Sequence, residues 1–312
     1  MAQARLSTST NVDTTRDPHA LSLKVLRLSR PTLATQNTLP SASIPLSACI
    51  TPTASTAYPS HADAGNAFSI TPLLTLPPAF GNAYIGETFS CTLSANNELA
   101  LDVSDRVSNV RLEVEMKTPS LTLPLDVTYS PNAKNTPGND LEPTASLQGI
   151  ISHYLREEGT HILAVTVSYN ETSTTSGRLR TFRKLYQFVA RPALVVRSKI
   201  SAFGRGRWAL EAQLENVSEV TIVLVGVEME AKGWCKGRGL HNWKELGKKP
   251  VLMQGDVQQV CFLVEESEKE VDREVDVAGR TVMGMLHINW RGAMGSVGNL
   301  STSWLGVRIE DS

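Results

Sequence analysis

Closely spaced cysteines are missing from this chain. The four cysteines, Cys49, Cys91, Cys235 and Cys261, stand far apart with no C-x-x-C pair. That removes the common zinc-ribbon and thiol-redox motifs. Two disulfides are possible on paper, but nothing in the spacing supports them. Cys91 and Cys261 lie in strand-like runs and read as small core residues. No apolar run approaches the ~20 residues that a membrane-spanning helix needs. The first twenty residues are rich in Ser and Thr and lack an apolar core, so they do not read as a secretory signal. Arg5 and Arg16 hint at a transit peptide, and Asp13 and Asp17 argue against it. The formal net charge is −1, so no global basic field exists to gather nucleic acid. These absences lead to the expectation of a soluble intracellular protein that binds no nucleic acid.

Catalytic motifs are missing as well. The six histidines show no H-E-x-x-H or H-x-x-x-H spacing. There is no Walker loop, no dinucleotide fingerprint and no G-x-S-x-G elbow. Gly204-Arg205-Gly206-Arg207 is glycine-rich but has no helix after it to hold a phosphate, and it reads as a turn. Glu157 and Glu158 adjoin, yet neighbours on a strand point to opposite faces, which spoils a paired-carboxylate site. No catalytic residue, cofactor or metal is expected.

What is present is period-two alternation. From Gly159 to Tyr169, His161, Leu163, Val165, Val167 and Tyr169 share one side, and Ile162, Ala164, Thr166 and Ser168 the other. That pattern is a half-buried strand. Its lead-in, Glu158-Gly-Thr-His161, sits where many immunoglobulin-like sandwiches carry a tyrosine corner, with His161 in the aromatic position. Similar alternation occurs from Leu21 to Leu28, around Phe89-Ser-Cys91-Thr-Leu93, from Val110 to Met116 and from Phe182 to Val189. It recurs at Trp208 to Leu214, Val220 to Met229, Val257 to Val264, Met283 to Trp290 and Trp304 to Ile309. No convincing amphipathic helix interrupts these runs. The expected fold is all-β, with two tandem immunoglobulin-like β-sandwich domains. Residues 1–19 read as a disordered tail, 20–192 as the first sandwich and 193–312 as the second. Residues 34–67, rich in Thr, Ser, Ala and Pro, read as a flexible insertion. Residues 117–146 read as a long loop, and Asn170 to Gly177 as a polar hairpin loop. Asn96-Asn97 and Asn216-Val217-Ser218-Glu219 follow comparable strands, which suggests two copies of one plan.

Two charged segments stand out. Lys232 to Lys249 carries Lys232, Lys236, Arg238, Lys244, Lys248 and Lys249 against Glu245, interleaved with Trp234, His241 and Trp243. The plainer reading is a solvated loop with one Trp tucked onto the sandwich. The functional reading is a contact surface, since Trp and Arg anchor interfaces. The candidate partner-binding residues are Trp234, Arg238, Trp243 and Lys244. Basic groups among aromatics also suit a lipid headgroup or RNA, so a peripheral membrane or nucleic-acid adaptor is the alternative. Glu265 to Asp276 is acidic and reads as a solvated hairpin that could screen the basic loop.

Several segments together carry a resemblance. They are Ala20-Leu-Ser-Leu-Lys-Val-Leu-Arg-Leu-Ser-Arg-Pro-Thr-Leu33, Leu76-Pro-Pro-Ala-Phe-Gly-Asn-Ala-Tyr-Ile-Gly-Glu-Thr-Phe-Ser90, Glu158-Gly-Thr-His-Ile-Leu163 and Phe182-Arg-Lys184. Leu286-His-Ile-Asn-Trp-Arg-Gly-Ala-Met-Gly295 and Gly298-Asn-Leu-Ser-Thr-Ser303 follow downstream. In this order they resemble the trafficking protein particle (TRAPP) complex subunit 13 family. The resemblance implies immunoglobulin-like β domains in an accessory subunit of an assembly that activates Rab-family GTPases. It implies other TRAPP subunits as partners, a Rab GTPase reached indirectly, and a place on Golgi or other vesicle-traffic membranes. The family's exchange activity belongs to other subunits, so no catalytic residue carries over. Two departures accompany it: the Ser/Thr/Pro-rich insertion, and a chain that stops at Ser312 where the family continues into a further β domain. Either the lineage is shorter or the C-terminus is incomplete.

Overall fold

The computed structural model describes residues 18–33, 74–76, 83–101, 104–131, 134–173, 176–241, 243, 247–267, 272–292 and 294–308. Every element named among them is a strand. The first half holds β1 (Leu21–Arg27), β2 (Thr32–Leu33), β3 (Leu74–Thr75), β4 (Ala83–Tyr84), β5 (Thr88–Asn97), β6 (Arg106–Lys117), β7 (Thr122–Leu125), β8 (Thr128–Tyr129), β9 (Ser146–Tyr154), β10 (Gly159–Thr172) and β11 (Gly177–Arg191). The second holds β12 (Leu194–Gly204), β13 (Arg207–Asn216), β14 (Ile222–Ala231), β15 (Cys235–Gly239), β16 (Val251–Leu252), β17 (Val257–Glu266), β18 (Thr281–Gly292), β19 (Val297–Ser301) and β20 (Leu305–Val307). The all-β class follows directly from the alternation in the sequence.

Each half is a pair of facing sheets. In the first, β1-β5-β9-β8 faces β4-β11-β10-β6-β7. Leu21, Leu23, Phe89, Cys91 and Leu93 from one sheet meet Val114, Met116, Leu163, Val165 and Phe188 from the other in one core. Phe89 stacks on Phe188 with ring centroids 4.3 Å apart, so the two layers touch through aromatic faces. In the second half, β12-β13-β17-β15 faces β16-β14-β18-β19, with β20 added to β18. Leu210, Leu214, Phe262 and Val264 there meet Leu224, Leu286, Ile288 and Trp290. Burial of each such side chain contributes roughly 1.5–3 kcal/mol.

The strand orders correspond. β1-β5-β9 matches β12-β13-β17, and β11-β10-β6-β7 matches β19-β18-β14-β16. The last residues of β5 and β13 mark the repeat chemically. Asn97, fully buried, donates from Nδ2 to the Leu141 carbonyl (2.8 Å) and accepts the Leu99 amide on Oδ1 (3.0 Å). Asn216, also buried, donates to the Leu252 carbonyl (2.9 Å) and accepts the Ser218 amide (3.0 Å). Both side chains close an Asx turn at the end of the strand and tie it to the segment leading into the next strand of its sheet.

Some sequence expectations need correcting. The long loop expected at 117–146 contains β7 and β8. The polar hairpin expected from Asn170 to Gly177 is mostly strand, since Asn170 pairs with Leu179 and Thr172 with Gly177. Period-two pairing outweighs local polarity there because the polar residues of the buried face satisfy one another, Glu171 accepting from Arg180 (2.9 Å). Cys261 is half-buried on the face of β17 opposite the core residues Val260 and Phe262, whereas Cys235 is buried. Cys91 is a core thiol that burial pushes up to about 12. Residues 34–67 and 1–17 lie outside the described residues. Pro18 and His19 are packed: His19 bonds the Tyr169 hydroxyl (3.0 Å), and the Pro18 carbonyl accepts from Arg180 (3.3 Å).

Candidate partner-binding surface

The basic segment folds into an edge rather than a loop. β15 pairs with β17 from Cys235↔Glu266 to Gly239↔Phe262 and is the last strand of its sheet. Trp234, just before it, is only 2% exposed. Its ring meets Trp208 edge-on at 5.6 Å, and its Nε1–H donates to the Val282 carbonyl (2.8 Å). Trp234 therefore fills the second core and offers no surface to a partner. Arg238 is exposed on β15. Trp243 is half-buried against His241, with centroids 4.6 Å apart. Lys244 lies outside the described residues. Of the four candidates, the structure brings Arg238 and Trp243 to one region and moves Trp234 inside.

The acidic segment does partner the basic one. Lys232 pairs with Glu274 (2.6 Å) and lies 3.8 Å over the Trp304 ring. Arg273 bonds Glu266 and lies over Trp234 at 5.4 Å. Glu265, opposite Lys236 in register, is paired with Arg207 (3.1 Å). Lys236, Arg238, Lys248 and Lys249 have no ion-pair partner among the described residues. A net positive rim is left around β15.

Histidine contacts explain what the sequence could not assign. His161 is buried, donates from Nδ1 to the Gly159 carbonyl (3.1 Å) and stacks on Phe188 at 5.5 Å. The ring ties the lead-in of β10 back on itself, as a corner tyrosine would. His287 bonds Ser301 Oγ and Glu230 Oε2, both at 2.8 Å. This Ser–His–Glu chain was not legible in sequence, because its members sit on three different strands. It lies on an exposed sheet face, and the amide of the next residue, Thr302, is already spent on the Leu286 carbonyl (2.9 Å). An acyl-transfer site needs a donor pair aimed at the reacting oxygen, and that amide is not one. Among the described residues, no group of three or more His, Cys, Asp or Glu could hold a metal ion. No helix there is long and apolar enough to cross a membrane.

Two of the segments that carry the family resemblance meet at the junction of the halves. β4 runs parallel to the end of β11, with Ala83↔Ala190 and Tyr84↔Arg191. Tyr84 nevertheless packs into the second core, and its hydroxyl accepts the Glu219 amide (3.2 Å). The Asn299 amide donates to the Gly86 carbonyl (3.0 Å), and the Tyr154 hydroxyl donates to Asn299 Oδ1 (2.6 Å). Gly86 has φ +90°, and a Cβ there would fall 2.1 Å from the Asn299 carbonyl oxygen and 2.6 Å from Trp290. Only glycine allows that approach. These two segments thus form a clasp between the halves.

A second open edge lies in the first half. β4 covers only Ala190 and Arg191 of β11, so residues 177–189 form an edge among the described residues. Leu179 and Leu185 are 70% and 62% exposed there. Lys184 turns inward and donates to the Leu23 carbonyl on β1 (3.1 Å). An inward lysine of this kind discourages indiscriminate edge pairing.

Comparison with known proteins adds two family matches. The family model "Trafficking protein particle complex subunit 13, N-terminal" matches residues 19–190, and "Trafficking protein particle complex subunit 13, middle domain" matches residues 194–309. Trafficking protein particle complex subunit 13 of Xenopus laevis is 29% identical over 304 residues, covering 95% of this chain and 70% of that protein. The Danio rerio protein of the same name is 29% identical over 303 residues, with the same coverage. The Bos taurus protein is 28% identical over 307 residues, covering 94% of this chain and 70% of its own length.

Proposed function

This chain belongs to the trafficking protein particle complex subunit 13 family, and from that membership we propose that it is a non-catalytic accessory subunit of the TRAPP complex. In this reading the assembly acts as a Rab GTPase exchange factor and tether in Golgi and endosomal traffic and in autophagy. Exchange is carried by other subunits, and this chain meets the Rab protein only through them. It works in the cytoplasm, on vesicle-traffic membranes. Residues 20–192 and 193–312 are its two immunoglobulin-like domains, a division supported by the two separate cores.

The observation that carries the proposal is the match of two successive family models across both sandwiches. The open edges of β11 and β15 supply surfaces that other subunits could cover, and a standard contact would bury ~800 Å² on each partner. Affinity purification of the tagged full chain from its source cell tests this. Recovery of the other TRAPP subunits in fixed proportion is expected, and recovery of none of them would overturn it.

A second reading, a peripheral adaptor for anionic membranes, is favoured by one observation. Lys236 and Arg238 on β15 and Lys248 and Lys249 before β16 are exposed and have no ion-pair partner among the described residues. It predicts vesicle binding that falls steeply with salt and with reversal of those charges. Nucleic acid is not an expected partner at a net charge of −1.

A further inference from the structure

The β15 edge has a geometry that selects its occupant. The Leu240 amide donates to the Cys261 carbonyl (2.9 Å), and the Ser267 amide donates to the Trp234 carbonyl (2.8 Å). Those two bonds fix the parity of the β15–β17 ladder. Residues 234, 236, 238 and 240 face β17, and the amides and carbonyls of Gly237 and Gly239 point away from the sheet. Both glycines are exposed. Across from them, β16 covers only Ile222 and Val223 of β14, and β14 bulges between Leu224 and Gly226. The bulge opens a groove of about 330 Å³ lined by Gly226, Met229, Gly237, His241, Trp243 and Phe262.

Three details mark the groove as a place for a side chain. Gly226 is buried, yet a Cβ built on it meets nothing within 4 Å, so it faces empty space rather than packed atoms. His241 donates from Nε2 to the Val227 carbonyl (3.2 Å), while its buried Nδ1 has no partner. Gly237 lets β15 lie close to β14, since a Cβ there would fall 2.6 Å from Met229 Sδ. Lys249 and Glu228 also line the groove, and exposed Lys236 and Arg238 flank Gly237 on β15 without an ion-pair partner among the described residues.

We propose that β15 takes an extended acidic segment of a partner protein as an added strand, seating one apolar side chain in the groove beside Gly226. This rests on the reading of the chain as an interaction subunit and names the chemistry of one contact. Main-chain bonds to Gly237 and Gly239 supply affinity in the usual manner of strand addition. Carboxylates alternating along the segment lie next to Lys236 and Arg238 as cross-strand pairs. A donor on the segment satisfies His241 Nδ1.

The test uses the full chain and a fluorescent peptide in which glutamate alternates with valine and leucine. Controls are the lysine counterpart and a version N-methylated at alternate amides. The acidic peptide should bind, and both controls should bind at least ~10-fold more weakly. Gly226→Leu extends into the groove from a Cβ position with no atom within 4 Å, so it should keep the wild-type melting temperature and weaken binding by about tenfold or more. Arg238→Glu with Lys249→Glu should weaken it similarly and flatten its salt dependence. Equal binding by Gly226→Leu, or equal binding of the lysine peptide, would overturn the proposal. Phosphatidylserine vesicles are run in parallel. Vesicle binding lost on charge reversal but untouched by Gly226→Leu, with no peptide binding, also overturns it in favour of a membrane face. Co-purification of each variant with other TRAPP subunits is scored separately. Peptide binding without co-purification refutes the subunit reading, and co-purification without peptide binding refutes only the added strand.

Discussion

Gly86→Ala is the substitution on which the clasp between the halves can be weighed. Two separable penalties follow from the structure. The first is backbone strain, because φ +90° costs an L-residue about 1–2 kcal/mol. The second is the clash of the new methyl with the Asn299 carbonyl at 2.1 Å and with Trp290 at 2.6 Å. Both obstacles are rigid, one being backbone and the other a ring buried in the second core. Relief requires the 297–301 strand to withdraw, which gives up the bond from the Asn299 amide to Gly86, about 0.5–1.5 kcal/mol. Repacking around an oversized group adds roughly 1–3 kcal/mol. The total is about 2.5–6.5 kcal/mol. Gly279→Ala is the control: its φ is +72°, but nothing lies within 4 Å of a Cβ, so only the strain applies. Urea unfolding of the two variants gives the difference. Hydrogen exchange at 83–87 and 297–301 locates it, with faster exchange expected in Gly86→Ala alone. Equal destabilisation by the two substitutions would refute the clasp.

Three further outcomes follow from the same structure. Asn97→Ala and Asn216→Ala should each cost about 2–4 kcal/mol in denaturant unfolding, since each removes at least two hydrogen bonds of a buried side chain and strands their backbone partners; a loss below ~1 kcal/mol at either would contradict their equivalence. Trp234→Ala should cost about 3–5 kcal/mol by emptying part of the second core, while exposed Arg238→Ala should stay within ~0.5 kcal/mol, both read from thermal or urea unfolding. Burial, and then the charges of His161 and Arg156, hold the His153 imidazole below its usual range. The unfolded chain then binds that proton more readily, so the His153 contribution is intact above about pH 6.5 and is lost as pH falls toward the lowered value. His153→Gln should make the fall in stability between neutral and mildly acidic pH shallower, and an unchanged slope would exclude His153 as its source.

Much of the fold was legible because it rests on alternation. β5, β10 and β13 bury every second residue along most of their length, and their sequences show it. The paired Asn turns were visible as polar residues in like positions, although their hydrogen bonds were not. β7, β8 and β16 were missed because strands of two to four residues carry too few side chains to establish a period. The site was harder to read. A Trp within a basic run looks the same in sequence whether it points outward or, like Trp234, closes a core. The edge status of β15 depends on which strands pair with it, and pairing joins residues far apart in the chain. The groove beside Gly226 arises from a register shift, which leaves no compositional trace beyond the glycine itself. The family blocks were legible as blocks, yet only the structure brings Gly86 and Asn299 into contact.

As the proposed subunit, this chain has its sheet edges covered in the assembled complex. Hydrogen exchange on the chain alone and within the purified complex reads that coverage. Strong protection on assembly is expected at Gly237 and Gly239 of β15 and along residues 177–189 of β11. Assembly with no change at either edge would contradict it.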